Sequence, residues 1–211
     1  MIVVHHLNDS RSQRILWLLE ELGAPYEIKR YDRDAASRLA PPELKAVHPL
    51  GKSPVIADGD RTVHESGAII DYLVRRHGGG RLAPALGSDA YETYLQWLHY
   101  AEGSAMLPLM LNMYVARLGD AGAPLHPRIQ SEMANHLGYV DGALQGRDWL
   151  LGDELSAADI QMSFVGEVTG AFGQLDRYPN IKAWVARFQT RPAYKAALEK
   201  GGAYSFVRQD A

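Results

Sequence analysis

Three consecutive glycines, Gly78-Gly79-Gly80, separate two stretches with different hydrophobic periods. This change of period restricts the possible folds more than any other feature. Before it, short β-branched runs alternate with amphipathic helical stretches. Ile2-Val3-Val4-His5-His6 reads as a strand. Asn8-Asp9-Ser10, all helix-capping residue types, follows it. Ile15, Leu18, Leu19 and Leu22 then fall on one helical face that Gly23 closes. Tyr26 to Tyr31 alternates as a second strand, and Pro41-Pro42-Glu43-Leu44-Lys45-Ala46 reads as a short helix with proline at its start. Pro54 to Ala57 and Arg61 to His64 flank the turn Asp58-Gly59-Asp60 as a hairpin. Ser66 to His77 is a third helix with Ile69, Ile70 and Leu73 inward. The order is β-α-β-α-β-β-α, an α/β domain over residues 1–78.

After the break, which Pro84 and Gly87 extend into a linker over 79–88, every pattern is helical. Tyr91, Tyr94, Leu95 and Leu98 open a long stripe that runs past Met110, with Pro108 expected to kink it. Three further stripes follow: Ile129 to Leu144, Ile160 to Phe172, and Ile181, Trp184, Val185 and Phe188. Residues 89–211 are therefore expected to form an all-α domain. The length of 211 residues suits one large domain or two small ones, and 46% apolar with 22% charged residues suits a packed core.

Composition excludes several chemistries. The chain has no cysteine, hence no disulfide framework, thiolate metal site or cysteine nucleophile. A net charge of −3 lacks the basic surplus that phosphate backbones reward, so nucleic acid is not an expected partner. No apolar run reaches the ~18 residues of a membrane span, and Met1 to His6 has no signal-peptide pattern. The expected location is cytoplasmic. His5 and His6 are adjacent in a strand and face opposite sides, and no paired-ligand spacing exists elsewhere, so no metal is expected.

Four stretches, in this order, span nearly the whole chain: Ser10-Arg11-Ser12-Gln13-Arg14 leading into the first helix, His48-Pro49-Leu50-Gly51-Lys52-Ser53-Pro54-Val55, Glu65-Ser66-Gly67-Ala68-Ile69, and Leu155-Ser156-Ala157-Ala158-Asp159-Ile160. Together they resemble the cytosolic glutathione transferases, with a thioredoxin-like N-terminal domain and a helical C-terminal domain. Ser10-Arg11, Ala40 to Leu44 and Tyr100 to Ser104 are similar to a bacterial and fungal branch. The resemblance implies that glutathione is bound as a co-substrate, that no other cofactor is needed, and that the chain forms a homodimer. It also implies that the glutathione thiolate attacks a hydrophobic electrophile.

The implied site is concrete. A thiol of pKa ~8.5 is mostly protonated at neutral pH, and each unit of lowering needs about 1.4 kcal/mol of preferential thiolate binding. Hydroxyl and N–H donors at a helix start supply it. Ser10, with Ser12 as the competing hydroxyl, is the candidate donor, and Arg11 lies beside it. The family uses Tyr, Ser or Cys in this role; the first strand ends without tyrosine and cysteine is absent. Ser53-Pro54 resembles the family's cis peptide, which would pair the Ser53 backbone with the cysteinyl backbone, and Lys52 would reach the glycyl carboxylate. Ser66, read as an N-cap, would hold the γ-glutamyl carboxylate, and Glu65 its ammonium, joined by Glu102 of a neighbouring subunit. Ser10 alone reads as a plain N-cap, and the other three stretches favour the thiol contact; Ser66 serves equally well as a plain helix cap. Met106, Leu107, Met110, Met113 and Tyr114 are equally suited to an apolar substrate wall and to a core or dimer contact. Ser156 and Asp159, with Leu155 and Ile160 as a staple, read as a structural capping box with Asp159 buried. Two rival functions remain: a glutathione-dependent peroxidase or disulfide reductase, and a non-catalytic binding module.

Overall fold

The computed structural model describes Met1–Val207. The chain divides into two compact units, one made of Met1–Pro84 with Phe188–Val207, the other of Ala85–Arg187.

The first unit contains β1 (Ile2–Leu7), α1 (Gln13–Leu22), β2 (Tyr26–Tyr31), α2 (Leu44–Val47), β3 (Val55–Asp58), β4 (Arg61–His64) and α3 (Ser66–His77). This is the expected element order. The sheet runs β2-β1-β3-β4, with β1 parallel to β2 and antiparallel to β3, and β3 antiparallel to β4. A parallel β1–β2 pair requires a crossover, and α1 supplies it. Gly23 ends α1 in the left-handed region at φ +62°, where Ala24 N–H closes back on Leu19 O at 3.1 Å. The central strand β1 is covered on both faces, so its side chains alternate between two environments and not between core and water. His5 stacks on Tyr31 and bonds its hydroxyl through Nδ1 at 2.9 Å, while His6 points to the opposite face.

The C-terminal residues complete this unit. α8 (Pro179–Thr190) enters it at Phe188, and α9 (Pro192–Gly201) packs along α1. Trp17, fully buried on α1, is the reason: its ring meets Phe188 and Tyr194 at centroid distances of 5.3 and 5.4 Å. Arg191 grips Glu21 with two bonds of 2.6 and 2.9 Å, and Lys200 reaches Glu20 at 2.6 Å. His6 donates from Nε2 to Gly201 O at 3.2 Å. The expected assignment of all of 89–211 to one helical domain is therefore corrected: residues from Phe188 onward complete the α/β unit because α1 presents an apolar face that needs cover.

The second unit contains α4 (Asp89–Tyr100), α5 (Met106–Ala116), α6 (His126–Ala143), α7 (Ala157–Ala171) and most of α8. The irregularity expected at Pro108 lies just before it, as a π-helical turn over Ala101–Ala105. Proline lacks an N–H and crowds the carbonyl four residues back, here Ser104, and the widened turn absorbs that clash. α7 is buried along nearly its whole length, and Gly166 lets the Trp184 and Val185 side chains approach within 2.8 Å of where a Cβ would stand. Its start carries the expected capping box. The fully buried Asp159 carboxylate accepts from Ser156 N–H at 3.0 Å, Ser156 Oγ at 2.8 Å, Leu150 N–H at 2.8 Å and Trp184 Nε1 at 3.1 Å. It therefore ties α7 to α8 as well as capping a helix.

Two outcomes follow from this packing. Asp159→Ala strands four buried donors, each worth ~1–3 kcal/mol when left unmade, so a loss of at least ~3 kcal/mol is expected from urea midpoints. A loss under ~1 kcal/mol would reduce Asp159 to an ordinary cap. His6 is only 2% exposed, and burial holds its imidazole down to about 4 from 6.5, against the Gly201 bond, which pulls upward. The unfolded chain then takes up this proton first, so the stabilisation is complete above pH 6.5 and is lost as pH falls toward 4. The full amount is about 3 kcal/mol. His6→Asn, which has no titrating ring, should show a correspondingly flatter stability profile over this window, and parallel profiles would contradict the assignment.

Candidate functional site

Three sequence motifs separated by dozens of residues meet at one edge of the sheet. β1 ends there at Leu7, β3 begins there at Val55, and β4 ends there at His64, as the pairings His5↔Val55 and Val55↔His64 require. Adjacent strands lie ~4.8 Å apart, so this edge spans about 10 Å from the turn after β1 to the start of α3. That is the length of an extended tripeptide.

The turn Leu7–Ser12 forms the first part. Ser12 occupies the N-cap position of α1 and is fully buried; Ser10 lies in the turn before it, 4% exposed. Ser10 Oγ donates to Leu7 O at 2.7 Å, lies 2.8 Å from Ser12 Oγ, and accepts from Ser12 N–H at 3.2 Å. Ser12 Oγ lies 2.7 Å from His6 Nδ1. Arg11 is half-buried between the two serines. Neighbouring segments hold the turn rigidly. Arg33 donates to Asn8 O at 3.1 Å and Asp9 O at 3.2 Å, and its N–H reaches Asn8 Oδ1 at 2.8 Å. The Asp9 carboxylate accepts from Arg38 at 2.8 Å and from Ser205 N–H and Oγ at 2.8 and 3.1 Å. Burial alone would raise this carboxyl; the Ser205 and Arg38 bonds outweigh it and hold it below the usual carboxylate range.

The second part is the loop before β3. The Ser53–Pro54 peptide is cis, as the motif suggested. Ser53 Oγ donates to His5 O at 2.8 Å, and Leu7 N–H is shared between Ser12 Oγ at 3.2 Å and Ser53 Oγ at 3.3 Å. Gly51, at φ +58°, lets the loop fold against Lys45, and Lys52 extends into solvent.

The third part is the start of α3. The sequence suggested Ser66 as N-cap, but Glu65 takes that place: its carbonyl accepts the first helical bond, from Ile69 N–H at 2.8 Å. Ser66 is the first helical residue and is buried, and its N–H belongs to the first turn of α3, the end of a helix where anions settle. Glu65 adopts φ +66° and ψ 118°, a conformation that costs a non-glycine residue about 1–3 kcal/mol. Its side chain is 70% exposed. Such strain at the tip of the sheet edge sets the direction in which Glu65 and Ser66 face. His64 stacks on His48 at a centroid distance of 4.1 Å, joining this end to the cis-proline loop.

The remaining candidates lie in the second unit. Glu102 is half-buried in the π-helical turn. Of the suggested substrate wall, Leu107 and Tyr114 are 57% and 53% exposed on α5, and Met110 and Met113 are half-buried. Met106 is 1% exposed and belongs to the core, so its place on a substrate wall is corrected. Sequence reasoning missed His6, Asp9 and the C-terminal partners Gly201 and Ser205, because these contacts join residues almost 200 positions apart. The one available signal was a histidine at an inward position of the central strand. Among the described residues, no cluster of three or more His, Cys, Asp or Glu side chains is placed to hold a metal, and no helix is long and apolar enough to cross a membrane.

The family models for the glutathione S-transferase N-terminal and C-terminal domains match residues 1–75 and 104–192. The chain is 37% identical to glutathione S-transferase 3 of Schizosaccharomyces pombe, over 95% of its own length and 88% of the relative's. Among solved structures, a glutathione S-transferase from Actinobacillus pleuropneumoniae superposes with a TM-score of 0.87 at 36% identity, covering 100% of this chain and 97% of the other. A glutathione transferase family member from Pseudomonas fluorescens, solved with two glutathione bound, gives 0.79 at 29% identity, covering 94% and 92%. The three-part sheet edge, the cis-proline loop and the helical unit thus belong to a member of the glutathione S-transferase family.

Proposed function

We propose that this protein binds glutathione along the sheet edge and activates its thiol for attack on hydrophobic electrophiles, as a cytoplasmic homodimer. The observation that carries the reading is the sharing of Leu7 N–H by Ser12 and Ser53. It locks the serine turn to the cis-proline loop, so a thiol donor and a peptide-pairing backbone stand side by side. The Ser53 backbone pairs with the cysteinyl residue as an added strand would. Ser66 holds the γ-glutamyl carboxylate at the start of α3, and Glu65 its ammonium, with Glu102 of a second subunit as a further partner. Lys52 and Arg11 supply positive charge, Lys52 toward the glycyl carboxylate. The cysteinyl sulfur then lies over the turn containing Ser10.

Ser10 is the thiolate donor in this reading, and Ser12, fully buried with its hydroxyl facing His6, supports it from behind. The Ser10 hydroxyl is held on Leu7 O. A thiolate competes with that carbonyl successfully because a charged acceptor makes a hydrogen bond about twice as strong as a neutral one. Catalysis is nucleophilic substitution or addition by glutathione sulfur. The thiol loses its proton to solvent and sulfur bonds to the electrophilic carbon; in substitution the leaving group departs with its electron pair, and in addition the displaced pair moves to the neighbouring atom, which takes up a proton from solvent. Leu107, Met110 and Tyr114 on α5 offer apolar surface for the electrophile. No metal or prosthetic group takes part. The cytoplasm is the compartment where glutathione stays reduced.

Ser66→Ala should weaken glutathione binding by about 1.5–3 kcal/mol, the worth of a charge-assisted bond, with little change in melting temperature because Glu65 forms the cap. Calorimetry showing wild-type affinity would remove Ser66 from the site. Ser10→Ala should raise the pKa of the bound thiol and cut turnover near neutral pH about ten- to a hundredfold, less at alkaline pH. Affinity for an S-alkylated glutathione should barely change, since a thioether carries no charge. Ultraviolet titration of the bound thiolate measures the shift. Turnover compared between aryl halides and hydroperoxides tests the reaction type, and activity confined to peroxides would overturn the electrophile assignment.

A further inference from the structure

Resting on the reading of Ser10 as thiolate donor, the structure assigns a second role at this site. We propose that His6 is a positioning residue: by accepting the hydrogen bond of the Ser12 hydroxyl it fixes the direction of the Ser10–Ser12 hydrogen-bond chain and so the orientation of the Ser10 hydroxyl.

A carbonyl oxygen only accepts, so the 3.2 Å contact with Gly201 O places the ring proton of His6 on Nε2. Nδ1 then carries a lone pair toward Ser12 Oγ, 2.7 Å away, and Ser12 must donate to it. Leu7 O also lies within reach of this proton, but at 3.2 Å against 2.7 Å for Nδ1, so the hydroxyl donates to the ring; Ser12 Oγ then offers only lone pairs elsewhere, to Leu7 N–H at 3.2 Å and to Ser10 Oγ at 2.8 Å. The Ser10 proton therefore lies between Leu7 O and Ser12 Oγ, while Ser10 Oγ is anchored by Ser12 N–H. One hydroxyl proton in the chain is left free to turn, and it is the one beside the sulfur position. When it swings to the thiolate, the Ser12 amide still holds the oxygen in place.

Without the His6 acceptor, two hydroxyls would compete for Leu7 O and for each other. The donor would then be spread over several orientations, each needing reorganisation when the thiolate arrives. Donors fixed in advance avoid that cost. Burial also keeps the ring neutral at working pH, which suits it to accept a hydrogen bond and not to store the thiol's proton. The Gly201 carbonyl at the end of α9 thus sets the state of a hydroxyl on the far side of His6.

The test is ultraviolet titration of the thiolate of bound glutathione, with kcat and KM, in full-length His6→Phe, His6→Asn, Ser12→Ala, Ser10→Ala and the His6→Phe/Ser10→Ala double variant. His6→Phe should raise the titration midpoint part of the way that Ser10→Ala does. It should lower kcat about three- to tenfold, the share of one hydrogen bond, with KM for glutathione nearly constant. Ser12→Ala should match it, and carries the same test should His6→Phe fail to fold. His6→Asn, whose Oδ1 accepts the Ser12 proton, should bring the midpoint back toward wild type. The double variant should equal Ser10→Ala alone. If Ser10→Ala moves the midpoint while His6→Phe and Ser12→Ala do not, the role of His6 is overturned and the donor assignment stands. A missing rescue by His6→Asn, or additive effects in the double variant, also overturns it. If Ser10→Ala itself leaves the midpoint in place, the underlying donor assignment falls and this inference with it.

Discussion

One backbone donor, the N–H of Leu7 at the end of the central strand, is shared by two serine hydroxyls from loops more than forty residues apart. The rest of the site depends on this junction. Ser12 arrives from the turn into α1 and Ser53 from the cis-proline loop, and each hydroxyl also makes a second bond, Ser12 with His6 and Ser53 with His5 O. The junction exists because β1 is central and antiparallel to β3, which brings the end of one strand beside the start of the other. A ligand laid across that edge meets a preformed surface.

The same strand end is supported from behind by the C-terminal residues. Gly201 O holds His6 on one side of the serine turn, and Ser205 holds Asp9 on the other. Gly201 fits because it has no Cβ: one would stand 2.7 Å from Gln13 Oε1 and 3.0 Å from Leu16. α9 itself is held by Trp17, Tyr194 and the two-bond Arg191–Glu21 pair, in which a planar guanidinium matches a carboxylate. Residues nearly two hundred positions from Ser10 thus take part in its placement.

Much of this was legible in the sequence, for local reasons. The element order, the α3 boundaries and the capping box at Asp159 each depend on residues within a few positions of one another, and the cis Ser53–Pro54 peptide was legible through the family resemblance of its loop. The errors share a different cause. Phe188 and Tyr194 carry ordinary helical periodicity, and nothing in that period tells which neighbour they cover; the Trp17 ring on α1, buried by them, decides it. Ser66 was displaced from the cap because Glu65 accepts a positive φ, which residue type alone argues against. Met106 and Leu107 are adjacent and equally apolar, yet one is core and the other surface, since successive residues of a helix point about 100° apart and composition alone does not say which face turns inward. The strand position of His6 was readable, but its partner Gly201 was not.

The central claim, that this edge binds glutathione and ionises it, is tested most directly by calorimetry of glutathione binding to the wild-type protein at neutral pH in buffers of different ionisation enthalpy. The account predicts net proton release on binding glutathione, approaching one proton per site as the thiol becomes thiolate, and no such release on binding S-methylglutathione with similar affinity. Equal proton uptake or release for the two ligands would mean that the thiol stays protonated at the site, and the account of the serine turn would be contradicted.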